Sequence, residues 1–312
     1  MYDLIGDIHG YATPLKRLLT RLGYAEHDGV WRHPSRRVIF LGDFIDRGPE
    51  QLETLRIARG MIDAGQGLAV MGNHEYNAVA WASEDPATPG VPLRRHSARN
   101  RGQHQAFLDQ VGEGSARHHA WIDWFRSLPL YLDLPGLRVI HACWDPASLT
   151  AIAPYLDAER RIRPAAWPAL SREGEPGFEA LETLIKGLEV VLPAGSEFSD
   201  KDGNPRRRVR ARWWDLESVT YRQLALVPPE AIAAIPHEPL PADILPGYDA
   251  EKPLFVGHYW LSGEPAPLTD HIACLDYSIA ARGDAVGGRK LCAYRWDGER
   301  ELERVRFVWV CE

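Results

Sequence analysis

Three short stretches of the sequence share one pattern and decide the fold: YDLIGDIHG (residues 2–10), VIFLGDFIDRG (38–48) and LAVMGNHE (68–75). In each, an apolar run typical of a buried strand ends at a glycine, and polar residues follow at once. Between them, leucines at helical spacing from Leu15 to Leu22 and apolar residues from Leu55 to Ile62 predict two helices. This alternation of strands and helices favours an α/β fold.

The rest of the chain is interpreted as part of one domain, residues 1–312, with an irregular insertion or cap at about 145–250. Before it, residues 83–119 are expected to form an irregular excursion, and 120–125 a helix. Within the insertion, 178–190 is expected to be helical. Thr13 before Pro14 predicts the start of the first helix, and Gly23 its end. Further strands are expected at 137–140, 253–256, 272–275, 289–296 and 304–310, the last two as an antiparallel pair.

The composition is that of an ordinary globular protein. The chain has 312 residues, of which 45% are hydrophobic and 25% charged, and this excludes a disordered or fibrous architecture. Its 36 basic and 43 acidic residues give a net charge of −7, so nucleic acid is not expected as a partner. Twelve histidines against four cysteines favour histidine and carboxylate metal sites over thiolate sites.

The cysteines and the hydropathy pattern predict a cytoplasmic protein. Cys143, Cys274, Cys292 and Cys311 form no C-x-x-C pair and no disulfide framework, so reduced thiols are expected. There is no run of about 18 apolar residues and no secretory signal at the N-terminus, so neither a membrane span nor a leader is expected. No obligate protein partner is evident.

The polar residues after the predicted strands have the chemistry of a site for two metal ions. Two divalent cations about 3.5–4 Å apart need a shared anionic ligand, and Asp43 is the natural bridge. Asp7 and His9 would complete the ligands of one ion. Polar residues later in the chain would complete the ligands of the other ion. These later residues are Asn73, His141 and His258. Imidazole, carboxylate and carboxamide ligands suit manganese, iron or zinc, of which manganese is expected.

These strings resemble the motifs of the calcineurin-like metallophosphoesterases. G-D-x-H-G, G-D-x-x-D-R-G, G-N-H-E and two later histidines match the branch containing Ser/Thr phosphoprotein phosphatases and bacterial diadenosine-tetraphosphatase-like enzymes. The match is tight over residues 1–75 and rests on single ligands at 141 and 258. It implies a four-layer α/β/β/α sandwich. It also implies hydrolysis of phosphomonoesters or phosphoanhydrides by a hydroxide that bridges two metal ions.

The resemblance also implies roles for individual residues. Arg47 would clamp phosphate oxygens, for which a guanidinium fork has the right geometry. His74 would be the general acid that protonates the leaving oxygen, with Asp46 orienting it. Asn73 and His74 would also contact the substrate. The basic run 206–212 lies where relatives supply a second arginine for phosphate; Arg210 and Arg212 are the candidates, and Arg212 is assigned to the substrate. Otherwise the run is a solvated face or a loop.

Two departures from the family pattern refine the prediction. Trp260 stands where many metallophosphoesterases carry a second histidine, which the phosphoprotein-phosphatase branch also lacks. The first metal would then have fewer protein ligands. Ala142, Cys143 and Trp144 after His141 replace the glycine-rich string of eukaryotic phosphatases and disfavour an extended phosphopeptide groove.

The expected substrate is a nucleotide polyphosphate or a small phosphoester, because the arginine run precedes Trp213 and Trp214. A Ser/Thr phosphoprotein phosphatase is the alternative, with a phosphoprotein as partner. A phosphodiesterase or nuclease, and a non-catalytic binding module, are further alternatives. The module is disfavoured because no predicted ligand is missing.

Other polar residues are expected to have ordinary structural roles. Glu75 is interpreted as a carboxylate that interacts with a helix dipole, and Cys143 as a small buried hydrophobe. Four histidines of the predicted excursion are expected at the surface: His96, His104, His118 and His119.

Overall fold

The computed structural model describes residues 1–199, 205–227, 229–241, 243–281 and 287–312. The strands in these ranges are β1 (Tyr2–Ile5), β2 (Ala25–His27), β3 (Val30–Arg32), β4 (Arg37–Phe40), β5 (Gly67–Ala69), β6 (Tyr131–Asp133), β7 (Arg138–Ile140), β8 (Glu189–Val191), β9 (Phe198–Ser199), β10 (Pro205–Arg206), β11 (Arg208–Arg210), β12 (Leu254–Val256), β13 (Ile272–Cys274), β14 (Asp276–Tyr277), β15 (Lys290–Trp296) and β16 (Phe307–Cys311). The α-helices are α1 (Ala12–Leu22), α2 (Gln51–Asp63), α3 (Asn73–Trp81), α4 (Ala98–Val111), α5 (Ala116–Arg126), α6 (Pro146–Ile152), α7 (Trp167–Leu170), α8 (Pro176–Lys186) and α9 (Tyr221–Leu224). Short 3₁₀ turns cover Ala153–Tyr155, Pro164–Ala166, Pro229–Ala234 and Arg304–Arg306.

The larger sheet carries the first three motif strings. Its strands lie in the order β14-β15-β1-β4-β5, and β16 also pairs with β15. Strands β1, β4 and β5 are parallel, so the loops after them meet at one edge of the sheet. The α/β fold class is thereby confirmed.

The smaller sheet brings the two late histidines together. Its order is β13-β12-β7-β6, and β12 runs parallel to β7. His141 follows β7 and His258 follows β12, and the backbone N–H of Gly257 donates to the carbonyl of His141 at 2.8 Å. The ends of both sheets therefore contribute to one region.

The two sheets share an apolar core. Leu4 and Ile39 of the larger sheet belong to the same buried cluster as Val139 and Phe255 of the smaller one. Neighbouring strand residues such as Phe40 belong instead to a larger cluster with the leucines of α1. Successive strand residues point to opposite faces, so the larger sheet is covered on both sides. The complete α/β/β/α order of layers stays a prediction.

Helix α1 is capped differently from the prediction. Its N-cap is Tyr11, and Thr13 lies inside the first turn, so the predicted N-cap is wrong. The backbone N–H and the hydroxyl of Thr13 donate to the carboxylate of Glu50 at 2.8 and 2.6 Å, which satisfies this helix end from another loop. Gly23 ends the helix with a φ of 92°, as predicted.

The irregular excursion predicted for 83–119 is confirmed for residues 83–97 and wrong beyond them, because α4 and the start of α5 follow. Ser97 caps α4 by accepting a hydrogen bond from the backbone N–H of Asn100. The buried face of α4 has the spacing of a helix: His104, Phe107, Leu108 and Val111. His104 occupies a position on the buried face where a hydrophobic residue is usual. The sequence of α4 therefore lacks the regular hydrophobic spacing that would predict a helix.

The segment 145–250 contains short elements and a small core of its own. The helix predicted for 178–190 begins at Pro176 and ends at Lys186, and Glu189–Val191 is strand β8. Val190, Val209 and Leu224 belong to a separate buried cluster. Residues 200–204, 228 and 242 of this segment lie outside the described residues. The bounds of the insertion stay a prediction.

The antiparallel pair predicted for 289–296 and 304–310 is confirmed, but residues 304–306 form a 3₁₀ turn rather than strand. β15 and β16 form an antiparallel pair, and β15 also pairs with β1. In the described ranges, no helix combines the length and the apolar composition that crossing a membrane requires.

Candidate metal centre and active site

The loops that follow the strands have an unusual backbone. We call residues 6–10, 42–48 and 72–75 the motif loops. Positive φ angles are uncommon for residues other than glycine and cluster at functional sites. In the motif loops and beside the last predicted ligand, six such residues have φ between 49° and 72°: His9, Asp43, Asp46, Arg47, His258 and Trp260.

Asp43 lies at the centre of the site. Its Oδ2 is 3.6 Å from Nε2 of His9, 3.4 Å from Nε2 of His141 and 3.9 Å from Nε2 of His74. Its Oδ1 accepts a hydrogen bond from the backbone N–H of His74 at 3.0 Å. A Cβ on Gly72 would lie 2.2 Å from that oxygen, so this position needs glycine. Burial opposes ionisation, but the imidazoles of His141 and His74 hold the pKa of Asp43 well below its usual range.

Two imidazoles are oriented by backbone carbonyls. Nδ1 of His9 donates to the carbonyl of Ile45 at 2.9 Å, and Nδ1 of His141 donates to the carbonyl of Leu41 at 2.7 Å. With the proton on Nδ1, Nε2 of His9 presents a lone pair toward Asp43. Burial lowers the pKa of His9 to about 3, which keeps the ring neutral. Burial opposes protonation of His141 as well, but the charge of Asp43 outweighs it and raises the pKa of His141 to about 10.

Asn73, His258 and Asp7 complete the group. Oδ1 of Asn73 lies 2.8 Å from Nδ1 of His258 and 3.2 Å from Nε2 of His141. Oδ2 of Asp7 accepts the backbone N–H of His258 at 3.1 Å. A Cβ on Gly257 would lie 2.1 Å from Oδ1 of Asp7, so this glycine leaves room for the carboxylate.

This donor set fits divalent cations. Three of its buried polar atoms find no hydrogen-bond partner among the described residues: Asp7 Oδ1, His9 Nε2 and His258 Nε2. Ligand atoms within 4.8 Å of one another form two groups that share Asp43, one with His9 and His74 and one with His141 and His258. Buried nitrogens and oxygens are unfavourable unless a hydrogen-bond partner or a cation contacts them, and this set of nitrogen and oxygen atoms has the chemistry of metal ligands. All six predicted ligands are therefore brought together, and their ligand role stays a prediction.

A second set of buried groups lies beside the first. Nδ1 of His74 lies 2.5 Å from Oδ2 of Asp46, and Nδ1 of His104 lies 2.7 Å from its Oδ1. His104 and His118 are buried, so their predicted surface position is wrong, whereas His96 and His119 are exposed as predicted. Packing of α4 and α5 against the main core buries the first two. Sequence reasoning missed His104 because no motif contains it.

Glu75 connects two motif loops. Its buried carboxylate accepts hydrogen bonds from the backbone N–H groups of Asp43 at 2.8 Å, Phe44 at 2.8 Å and Gly72 at 3.0 Å. Burial, together with the charge of Asp43, raises the pKa of Glu75 to about 7. Its place in the first turn of α3 agrees with the sequence interpretation, but its contacts give it the additional role of holding the Asp43 loop.

Asp276 is a further buried carboxylate that the sequence did not indicate. It accepts hydrogen bonds from the backbone N–H of Trp260 at 2.7 Å and of Ser278 at 3.0 Å. Burial raises its pKa. Asp276 thus fixes the loop after His258. The sequence did not indicate this role, because no glycine or histidine stands beside Asp276 as in the other motifs.

A cavity of about 830 Å³ leads from the metal centre to the segment 145–250. The guanidinium of Arg47 lies 4.4 Å from the centre of the Trp260 ring. In the described part of the chain, the arginines that line the cavity are Arg47, Arg94, Arg95, Arg99, Arg206, Arg208 and Arg210. We call Arg206, Arg208 and Arg210 the arginine wall. His74, Asn73, Asp46 and His258 line the inner end.

The position of Arg212 does not support its predicted contact with the substrate. Arg208 and Arg210 flank the buried Val209 and therefore share one face of β11. Arg212 is exposed and is not among the described residues that line the cavity, because the chain leaves β11 and turns there. Nε of Arg210 is buried with no hydrogen-bond partner in the described part of the chain. The structure thus favours Arg210 over Arg212.

Comparisons with known proteins agree with this site. Residues 2–149 match the family model of the calcineurin-like phosphoesterases. The chain is 26% identical over 141 residues to an asymmetrical bis(5'-nucleosyl)-tetraphosphatase of Oceanobacillus iheyensis, covering 45% of this chain and 54% of that protein. It is 31% identical over 172 residues to a symmetrical bis(5'-nucleosyl)-tetraphosphatase of Vibrio cholerae serotype O1, covering 54% of each. The chain thus spans about half the length of these curated relatives.

A similar solved structure is a protein serine/threonine phosphatase from Saccharomyces cerevisiae. The two have 13% sequence identity and a TM-score of 0.48, over 99% of this chain and 78% of that one.

Proposed function

We propose that the calcineurin-like phosphoesterase domain formed by residues 2–149 acts with His258 as a two-metal phosphohydrolase. The observation that carries the proposal is the buried carboxylate of Asp43, with three imidazole nitrogens 3.4 to 3.9 Å from its Oδ2. Such a set of imidazole nitrogens around one carboxylate is typical of a shared metal ligand.

The residues that would hold the ions follow from these contacts. Asp7, His9 and Asp43 would hold one ion, and Asp43 would share the second with three further ligands, Asn73, His141 and His258. We propose manganese, since the ligands are nitrogen and oxygen atoms rather than thiolates. Bound divalent ions would supply an activated water and stabilise negative charge on the phosphoryl oxygens.

The protein's own groups would bind the phosphate and move the proton. Arg47, stacked on Trp260, offers a guanidinium fork to phosphate oxygens at the inner end of the cavity. His74 has Nδ1 bonded to Asp46, so in the doubly protonated ring Nε2–H is the group that would donate its proton to the leaving oxygen, and the ring keeps its Nδ1 proton. Their positions support the catalytic roles of Arg47, His74 and Asp46.

The cavity supports a phosphoanhydride substrate such as a nucleotide polyphosphate, and small phosphoesters would fit its inner end. Among the described residues, seven arginines and one lysine line it, against five carboxylates. A row of guanidinium groups leading away from the metal centre can bind several phosphates in sequence. Both curated relatives described above are named as bis(5'-nucleosyl)-tetraphosphatases.

Steady-state hydrolysis of three substrates by the purified, manganese-loaded chain tests this proposal. Diadenosine tetraphosphate, p-nitrophenyl phosphate and a phosphoserine peptide separate the candidate functions. We expect the highest kcat/KM with the nucleotide. A preference for the peptide by orders of magnitude would favour a phosphoprotein phosphatase, and no turnover of any of them would overturn the proposal.

Domain organisation and location are further parts of the proposal. We infer that residues 145–250 form a cap within one domain, since the arginine wall on β10 and β11 borders the cavity. We also propose a cytoplasmic location. In the described chain all four cysteines are free, and the three buried ones, Cys143, Cys274 and Cys292, have pKa values raised by burial.

A further inference from the structure

We propose that His104 is a positioning residue for His74 and acts through Asp46, whose carboxylate lies between the two imidazoles. This inference rests on the proposed function, in which His74 gives a proton to the leaving oxygen.

Asp46 accepts one hydrogen bond on each carboxylate oxygen. Oδ2 lies 2.5 Å from Nδ1 of His74, and Oδ1 lies 2.7 Å from Nδ1 of His104. The relative exposures are 2% for Asp46, 8% for His74 and 4% for His104. Water therefore competes little for these bonds, and they are stronger than they would be at the surface.

The second imidazole removes the remaining freedom of Asp46. Its backbone is held separately, because its N–H donates to Oε1 of Gln51 at 2.7 Å. A carboxylate with one hydrogen bond can still rotate about its Cβ–Cγ bond. A donor on the other oxygen fixes the plane of the group, and His104 is that donor.

A fixed Asp46 determines which nitrogen of His74 faces the reaction. It holds a proton on Nδ1, so Nε2, which lies 3.9 Å from Oδ2 of Asp43, is presented to the substrate. Although burial opposes it, the two imidazole donors hold the pKa of Asp46 well below its usual range. The carboxylate can thus stay charged and accept both bonds.

Packing alone does not account for an imidazole at position 104. The ring lies 5.0 Å from that of Phe107, and Leu108 and Val111 continue the same face of α4. Its Nε2 is buried and has no hydrogen-bond partner in the described ranges. A phenylalanine would fill this space without an unsatisfied nitrogen, so the bond to Asp46 is what distinguishes histidine here.

Three variants separate positioning from packing. His104→Phe removes the donor and keeps the ring, whereas His104→Asn replaces Nδ1–H by an amide N–H that can still reach Asp46. The matched control is His118→Phe. His118 is 2% exposed, its ring lies 5.8 Å from that of Phe107, and its hydrogen bond is to the backbone N–H of Gly114.

Two aryl phosphates of similar shape report on proton donation. Phenyl phosphate has a poor leaving group that needs a proton, and p-nitrophenyl phosphate has a good one. We expect His104→Phe to lower kcat for phenyl phosphate by about 10–100-fold, and for p-nitrophenyl phosphate by less than about threefold, with KM unchanged for both. His104→Asn should recover most of the loss, and His118→Phe should match the wild type. Equal losses on both substrates, or the same loss in His118→Phe, would overturn the proposal.

Interaction between the two histidines gives a second test. If His104 acts through His74, His104→Phe should add little to the loss already caused by His74→Asn. Fully additive losses would show that His104 acts elsewhere.

Imidazole NMR of the metal-free, ¹⁵N-histidine-labelled protein tests the positioning without any turnover. For the neutral ring of His74, which is the state left after it has given up its proton, we expect one Nδ1–H tautomer in the wild type and in His104→Asn, and a tautomer mixture in His104→Phe. An unchanged His74 signal in His104→Phe would overturn the proposal. A wild-type protein that hydrolyses no phosphate ester would overturn the proposed function instead, and the spectra would still decide the role of His104.

Discussion

The motif loops and the arginine wall are built in opposite ways. In the motif loops, side chains such as Asp43 and Glu75 are buried and bonded to backbone groups. In the arginine wall, Arg206 and Arg208 are about half exposed and form ion pairs with surface glutamates at 3.5 and 4.0 Å. One region has a fixed geometry, and the other has partners that can be exchanged.

This difference suggests a division of tasks between the two regions: the motif loops would break the bond, and the arginine wall would recognise the substrate. Surface ion pairs contribute about 0–1 kcal/mol each, so substrate phosphates can displace the glutamates of the arginine wall easily. Buried ligands cannot rearrange without loss of many contacts. Changes in the motif loops should therefore lower kcat, whereas changes in the arginine wall should raise KM.

Asp43→Asn should have the largest effect. The amide loses the charge shared by two ions, so we expect reduced metal content and a loss of about 10³-fold or more in kcat. Elemental analysis of the purified variant and steady-state kinetics measure both. Full metal content with unchanged kcat would show that Asp43 is not the shared ligand.

His74→Asn should have the next largest effect. Loss of a general acid lowers kcat by about 10²–10⁴-fold, most strongly for phenyl phosphate. Metal content should stay that of the wild type, since His74 is not among the six proposed ligands. A loss of metal together with activity would instead make His74 a ligand and weaken the contrast between the two roles.

Arg210→Ala should act on binding alone. A hydrogen bond between charged groups contributes about 1.5–3 kcal/mol, so KM for diadenosine tetraphosphate should rise about 10–100-fold. KM for p-nitrophenyl phosphate and both kcat values should hardly change. Arg207→Ala is the matched control, because its side chain is 83% exposed. A larger rise in KM for Arg212→Ala than for Arg210→Ala would restore the sequence-based assignment.

Trp260→Leu should have the smallest effect, because it removes only the ring under Arg47. A cation–π contact contributes about 0.5–2 kcal/mol, so KM should rise about 2–30-fold for every phosphate substrate. Kinetics on diadenosine tetraphosphate and p-nitrophenyl phosphate measure this. A change confined to the nucleotide would indicate that the ring contacts a base rather than Arg47.

The sequence could predict the residues of the motif loops better than the residues outside them. Asp43, His9 and His141 could be found because each follows a buried strand, and parallel strands bring such residues to one edge. The matched family model confirms the resemblance over residues 2–149. His104 could not be found, since a buried imidazole on an amphipathic helix looks like a break in its apolar pattern.

The choice between Arg210 and Arg212 also lay beyond the sequence. The two residues are two positions apart, so the alternation of side chains along a strand places both on the same face. The choice depends on where β11 ends, and element ends depend on tertiary contacts such as the bond from the backbone N–H of Arg212 to the carbonyl of Leu224.

The pairing of β1 with β15 has a consequence for the order in which the protein assembles on the ribosome. Tyr2 pairs with Trp296, so β1 leaves the exit tunnel long before β15, which is one of its two neighbours in the sheet. At about 5–20 residues per second, some 15–60 seconds separate their synthesis. During that time the nascent sheet has an open edge beside Asp7. Such an unpaired edge can form hydrogen bonds with a strand of another chain, which is a route to aggregation.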